Sequence, residues 1–418
     1  MPNQTITGGT KKKVALLALT LICLSLWQPV TAIADVSATI RAEVERIHSG
    51  ECVSVGDCPI ASTIVLPALY EKYDYQPIWK NPDAVSQLVA AIEASHLDGL
   101  DPDDYHLADI RRMQAKLAAG SDQATQASLD VVLTDSLIRL GYHLVIGKVD
   151  PESLDGNWNM ERTLELDPIL EMSRAIGSGK VDNLIDSFRP QAAIYHKLKA
   201  ALARYRELEA AGGWPAVPDG ETLKPGMQDP RVVALRRRLA VTGDLPAGNV
   251  ESPEFDEQLE AGVTHFQQRH GLEADGIVGK GTLAELNVPV EARIDQLRVN
   301  LERARWVLHD LPQDFVITDI AGFRVMYFRA GELLWDTRAQ VGKSYRKTPV
   351  FRDRIRYIEF NPTWTVPPTI LKKDILPKMK KDHGYLAKKN IRVIDKSGNT
   401  VDAGSIDWSK YPAAGFPY

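Results

Sequence analysis

The chain has 418 residues, and at about 150 residues per domain this length favours two or three domains over one. Hydrophobic residues at 44% and charged residues at 25% are the balance of a globular protein, which excludes a disordered chain, a collagen-like fibre and a polytopic membrane protein. A net charge of −5 gives no overall drive toward nucleic acid, and three cysteines are too few for a disulfide framework or a cysteine-rich zinc protein.

Residues 1–34 read as a cleaved export signal. Lys11, Lys12 and Lys13 form the basic region, and an apolar run from Val14 to Trp27 follows, broken by Gln28-Pro29. Those fourteen residues fall short of the roughly 20 that span a bilayer, and an uncleaved inner-membrane anchor is the alternative. Ala32-Ile33-Ala34 supplies the small-x-small cleavage pattern, with Asp35 opening the mature chain. Cleavage would remove Cys23 and leave one pair, Cys52 and Cys58, separated by five residues that include Gly56. In an oxidising compartment that pair is expected to be a disulfide. A reactive His48–Cys52 pair is disfavoured, because Glu51 and Asp57 oppose a thiolate.

From 35 to 211 the pattern predicts a helical scaffold, with amphipathic helices over Ala84–His96 and Ala124–Ile146. Breaks are expected at 98–102, at Asp150-Pro151 and at Gly177-Ser178-Gly179. Residues 212–228, rich in Gly and Pro, read as a linker. Three helices are predicted over 229–288: Pro230–Val241 with Asp229 as cap, Ser252–His270, and a third opened by Thr282. A connecting helix follows over 289–311. From 312 the period changes to two, predicting strands at Phe315–Asp319, Phe323–Phe328, Leu333–Gln340 and Ile355–Phe360. Turns are expected at Ala321-Gly322 and Ala330-Gly331, and a lysine-rich helix from Pro368 to Lys389.

Several patterns carry no chemistry. Gly276 to Thr282 imitates a phosphate-binding loop, but Gly281 separates the lysine from the threonine and a helix precedes it. His265 and His270 sit five apart on a helix, a spacing that does not ligate one metal. His383-Gly384 is followed by Tyr385 rather than Cys, and reads as a surface turn.

Phe266-Gln267-Gln268-Arg269-His270-Gly271-Leu272, then Asp275-Gly276-Ile277-Val278-Gly279 and Thr282-Leu283, resembles the three-helix peptidoglycan-binding domain. The resemblance implies a binding motif of Phe266, Gly271, Asp275, Gly276, Gly279 and Thr282. In this reading Phe266 packs beneath a turn whose glycines take positive φ, and Thr282 caps the last helix. Val341-Gly342-Lys343, Arg346-Lys347-Thr348-Pro349 and Asn361-Pro362-Thr363-Trp364-Thr365-Val366-Pro367-Pro368 resemble the YkuD-type catalytic domain of the L,D-transpeptidases. Lys373 to Lys378 and Gly384-Tyr385-Leu386 extend the match. With Asp98-Gly99-Leu100 and the segment 101–105 in the scaffold, the whole order is similar to the large periplasmic enzymes of Gram-negative bacteria, the YcbB type.

The resemblance implies a multi-domain α+β fold: helical scaffold, three-helix peptidoglycan-binding domain, and a mostly-β transpeptidase domain with its lid over 312–418. It implies 3→3 cross-linking of tetrapeptide stems through a cysteine thioester, without metal or organic cofactor. The family's catalytic His and Cys are expected beyond Tyr418, so no catalytic residue is assigned, and the chain is expected to be incomplete and inactive alone. Asn361 and Trp364 are the candidates for the substrate cleft. Peptidoglycan is the expected partner, with transient contacts to other cell-wall enzymes; a non-catalytic peptidoglycan-binding protein is the rival reading.

Overall fold

The computed structural model describes residues 35–416 except 56–57, 121, 157, 161–166, 247, 249, 310 and 411–415. The expected export signal lies outside the described residues, and among those described no helix is long and apolar enough to cross a membrane. The chain forms two compact units, residues 1–351 and 352–418.

The first unit opens with α1 (Val36–His48), the two-residue strands β1 (Ser54–Val55) and β2 (Cys58–Pro59), α2 (Val65–Lys72), α3 (Pro82–Ala94) and α4 (Leu107–Ala119). At the centre stands α5 (Gln123–Val145), buried on nearly every side by Val131, Val132, Leu133, Leu137, Leu140 and Leu144. A helix apolar all round belongs in a core, and its few polar groups must find partners there. They do so by holding the surrounding loops. Asp130 accepts from the Tyr70 hydroxyl at 2.7 Å and from the Ile78 and Trp79 amides at 3.1 and 3.0 Å. Asp135 accepts from the Ala61 and Ser62 amides at 3.1 and 2.8 Å and pairs with His106 Nε2 at 2.8 Å. The domain is completed by α6 (Pro151–Leu154), β3 (Trp158–Asn159), α7 (Pro168–Ser178) and α8 (Val181–Ser187). Gly177 lies inside α7; the break falls at Gly179, where φ is +66°.

Next come α9 (Ala193–Ala210), the segment 212–228, α10 (Arg231–Thr242), α11 (Glu257–Arg269), α12 (Lys280–Leu286) and α13 (Val290–Val307). Helices α9 and α13 pack on each other through Tyr195, Leu202, Ile294, Leu301 and Ala304. They are bolted to the scaffold at buried Asp98, which accepts from Tyr195 Oη at 3.0 Å, Lys199 Nζ at 2.8 Å and Arg189 Nε at 3.0 Å. Arg305 of α13 donates to the Asp98 carbonyl at 2.8 Å. Helices α10–α12 enclose a separate core of Val232, Leu235, Leu239, Leu259, Val263, Phe266 and Leu286. Segment 212–228 contributes to it: Val217 and Leu223 are buried, and Leu223 bridges Val278. The second helix of this domain starts at Glu257 rather than Ser252, because Gln228 pairs with Glu254 and Asp256 caps the helix by accepting from Leu259 N at 2.9 Å. Thr282 is not a cap. Gly279 occupies that position, and Thr282 lies buried inside α12.

An antiparallel sheet follows, β4 (Phe315–Asp319), β5 (Arg324–Arg329) and β6 (Glu332–Arg338), with Ile317 packed toward the α9–α13 cluster. Strand β7 (Val350–Phe351) pairs in parallel with β3 of the scaffold.

The second unit begins without regular structure. The strand expected over Ile355–Phe360 is absent, and Ile355, Tyr357, Ile358 and Phe360 are exposed. An alternating apolar run becomes a strand only against a hydrogen-bonding neighbour, and among the described residues none pairs with it. The helix expected to reach Lys389 is broken. Short helices α14 (Pro368–Ile370), α15 (Leu376–Met379) and α16 (Tyr385–Lys388) are joined by a π turn at Leu371–Ile375 and a turn around Asp382. A hairpin of β8 (Val393–Ile394) and β9 (Thr400–Val401) follows. This unit's core is Ile375, Leu376, Met379, Leu386, Val393, Ile406 and Trp408.

Candidate functional site

The motif of residues 266–282 folds around one side chain that is not among the expected site residues, Gln267. Helix α11 buries Leu259, Val263, Phe266 and Gln267 on one face. At its end Gly271 turns the chain with φ +68°, and Gly276 turns it back with φ +70°. A β-carbon at Gly276 would stand 2.8 Å from Glu260 Cγ, so steric space and backbone angle both require glycine. Gln267 fills the loop so formed. Its Nε2 donates to Asp275 Oδ1 at 2.9 Å, Ile277 O at 3.0 Å and Thr282 Oγ1 at 3.1 Å, and its Oε1 accepts from Gly276 N at 2.9 Å. Asp275 Oδ1 also accepts from Ile277 N at 2.9 Å, and that bond, with the Gln267 amide, holds its carboxyl below the usual range.

The expected binding residues therefore divide. Phe266 is wholly buried, its ring stacked on His270 at 3.9 Å, and it belongs to the core. Asp275, Gly276 and Thr282 are gathered around Gln267, while Gly279 precedes α12 in extended backbone with open space where a side chain would stand. His270 Nδ1 bonds Phe266 O at 2.8 Å, and burial lowers its pKa to about 4. His265 pairs with Asp244 at 2.8 Å, and Arg269 grips the same carboxylate with Nε at 2.7 Å and Nη2 at 2.6 Å. Among the described residues no group of His, Cys, Asp and Glu is arranged to hold a metal.

A second arginine locks the domain to the chain on either side of it. Arg238 donates to Leu286 O at 2.8 Å and lies over the Trp214 ring at 4.1 Å. Burial, reinforced by nearby Arg269, lowers its pKa to about 10. Trp214 Nε1 in turn donates to Val288 O at 3.1 Å.

In the second unit Asn361, with φ +52°, and Trp364 both lie in exposed coil, and among the described residues neither side chain makes a hydrogen bond. Cys52 carries an exposed free thiol, 4.0 Å from Ser54 Oγ. Strand register sets Cys58 opposite Val55, and the Cys58 side chain lies outside the described residues. Gln267 stands inside the motif quoted from the sequence, where it reads as a polar residue on an otherwise apolar helix face and not as the holder of the loop. Asp244 and Arg269, 25 residues apart, gave no joint signal.

Comparison with known proteins matches residues 65–202 to the scaffold domain, 228–286 to a domain described as "Putative peptidoglycan binding domain", and 313–416 to the L,D-transpeptidase catalytic domain. A protein of Haemophilus influenzae named "Putative L,D-transpeptidase" is 36% identical over 129 residues, covering 31% of this chain and 26% of that relative. The "N-acetylmuramoyl-L-alanine amidase CwlM" of Mycobacterium tuberculosis is 39% identical over 80 residues, 17% of this chain and 20% of its own length. The matched stretches thus span about a quarter or less of these relatives. Matches to a scaffold domain, a peptidoglycan-binding domain and an L,D-transpeptidase catalytic domain thus follow one another in that order along this chain.

Proposed function

We propose that this protein is a peptidoglycan L,D-transpeptidase that works outside the cytoplasm, exported by its first 34 residues into the periplasm. The observation that carries the reading is the order of the three domain matches along one chain. In the proposed reaction a cysteine thiolate attacks the carbonyl of the third stem residue and expels the terminal D-alanine. A neighbouring stem's side-chain amine then takes the acyl group from the thioester, giving a 3→3 cross-link. Backbone N–H groups stabilise the oxyanion, and no cofactor enters.

A second reading has its own support. The three cysteines stand at positions 23, 52 and 58, and none falls within 313–416. Residues 1–418 by themselves would then act as a peptidoglycan-binding protein. Sedimentation of the full chain with purified sacculi tests the part common to both readings: it should pellet with them, and a chain left in the supernatant would refute both. Incubation with tetrapeptide-bearing sacculi, followed by muropeptide analysis, separates the two. A 3→3 dimer from the 418-residue chain would reject the non-catalytic reading and require a nucleophile at Cys52 or Cys58; absence of the dimer would reject catalysis by these residues alone.

A further inference from the structure

A pocket of about 240 Å³ lies where α9 meets the peptidoglycan-binding domain, lined by Arg204, Tyr205 and Leu208 of α9, Thr242 and Gly243 after α10, and His265 and Arg269 of α11. Neither matched domain makes it alone, since the scaffold match ends at residue 202 and the binding-domain match starts at 228. Its charges are unequally compensated. Asp244, buried beneath, has one oxygen bonded to Arg269 and His265 and the other to Arg269 and the Thr242 hydroxyl at 2.6 Å. That carboxylate therefore offsets Arg269. Arg204 has no such partner: its Nη2 donates to the neutral carbonyl of Thr242 at 3.0 Å, and among the described residues it makes no ion pair. A β-carbon at Gly243 would come within 3.2 Å of that same nitrogen, so the bare backbone there leaves the guanidinium its room.

We propose that this pocket binds the terminal carboxylate of a peptidoglycan stem peptide, with Arg204 as the anion-binding group and Tyr205 and Leu208 against the apolar side of the last residue. The inference rests on the peptidoglycan reading above and gives it a location. An arginine with unused donors beside a small, partly apolar pocket suits a carboxylate that carries a short apolar side chain next to it, as at the end of a stem peptide. His265, its Nδ1 fixed by Asp244, has Nε2 left as a second polar contact.

The test uses the full chain and a soluble disaccharide–tetrapeptide, with the same fragment amidated at its terminal carboxylate. Arg204→Gln should weaken binding of the acid about tenfold, the effect of losing one charge-assisted hydrogen bond. Amidation should weaken binding to the unaltered chain by a similar factor and add little in Arg204→Gln, because both changes remove one interaction. Arg204→Lys should recover part of the loss. Arg237→Gln, an equal charge change at the exposed Arg237–Glu251 pair, should have no effect, and circular dichroism should show all variants folded. Equal losses on amidation in both backgrounds, or wild-type affinity in Arg204→Gln, would overturn the pocket while sacculus binding by the unaltered chain left the functional reading standing. If the unaltered chain does not bind sacculi, both fall.

Discussion

Replacing Gln267 by alanine would remove the side chain on which the loop of residues 271–282 is hung. Two amide hydrogens and one acceptor would be lost, leaving the Gly276 N–H, the Ile277 carbonyl and the Thr282 hydroxyl without this partner. Net, a buried hydrogen bond contributes about 1 kcal/mol, and a buried group left unsatisfied costs about 1–3 kcal/mol. Gly276 N and Thr282 Oγ1 are the groups bonded out of solvent, so a loss of about 3–4 kcal/mol follows once the vacated volume is included. Set against a domain stability of about 5–15 kcal/mol, that is a large fraction. For a domain this small, each kcal/mol moves the midpoint by about 4–8 °C. The calorimetric transition of the peptidoglycan-binding domain should therefore fall by more than about 10 °C, with loss of hydrogen-exchange protection at the Gly276 amide. Gln267→Glu keeps an acceptor for Gly276 but abolishes both donors and faces Asp275, so it should be no better than alanine. An alanine variant within about 1 kcal/mol of the parent, with Gly276 still protected, would show that the loop is held by other means.

Asp98→Ala should cost about 3–5 kcal/mol by leaving Arg189 and Lys199 facing a vacancy, and chemical denaturation should show the scaffold loosening from α9 and α13 together; an unchanged midpoint would refute that coupling. Burial lowers His143 and His270 to about 4 from 6.5, so the unfolded chain takes up protons first as pH falls. Their contribution to stability is complete above pH 6.5 and should drain away between pH 6.5 and about 4, a trend that His143→Gln and His270→Gln should flatten in thermal scans. Brief trypsin treatment should cut first at Arg352, Arg354 or Arg356, which stand exposed in coil, and leave a resistant fragment ending there; first cuts inside α5 or α11 would contradict the packing. Cys52 is a free thiol in the structure, and oxidation after export should join it to Cys58, so denatured, unreduced exported protein should take up no thiol label; two labelled thiols would exclude the bond.

The sequence made helices and hairpins visible wherever the pattern was local. Strand β4 has the bounds that alternation gives it, and α5 differs by a residue at each end from its expected limits. What could not be read was partnership at long range. Asp98 gathers Arg189, Tyr195 and Arg305 from 91, 97 and 207 residues away, and although Asp98-Gly99-Leu100 fits the family pattern, nothing beside it in the sequence points to those partners. Gln267 was in plain view inside the binding motif, but its task depends on a loop that closes over it. The run Ile355–Phe360 failed in the opposite sense: its alternation is strand-like, yet pairing is a property of two segments and periodicity reports on one. For the short hairpins β1–β2 and β8–β9, two residues a side are too few to show a period.

The antiparallel pair α9–α13 has a folding consequence. Its far end is fastened at Tyr195 and Arg305, its near end where Trp214 reaches Val288, and the entire peptidoglycan-binding domain is spliced between the two helices. As unstructured chain, that insert would be a long loop to close before the helices could meet, with an entropic cost that grows with the logarithm of its length. Once folded, it brings Val217 and Asn287 together through a reciprocal pair of 2.9 Å hydrogen bonds, and the loop shrinks to little more than a turn. A folded insert thus shortens the loop that the helical pair has to close. Tension applied to the insert by a polymer it grips would be borne by both helices at once, in parallel, and led down to Asp98 without passing through a single flexible tether.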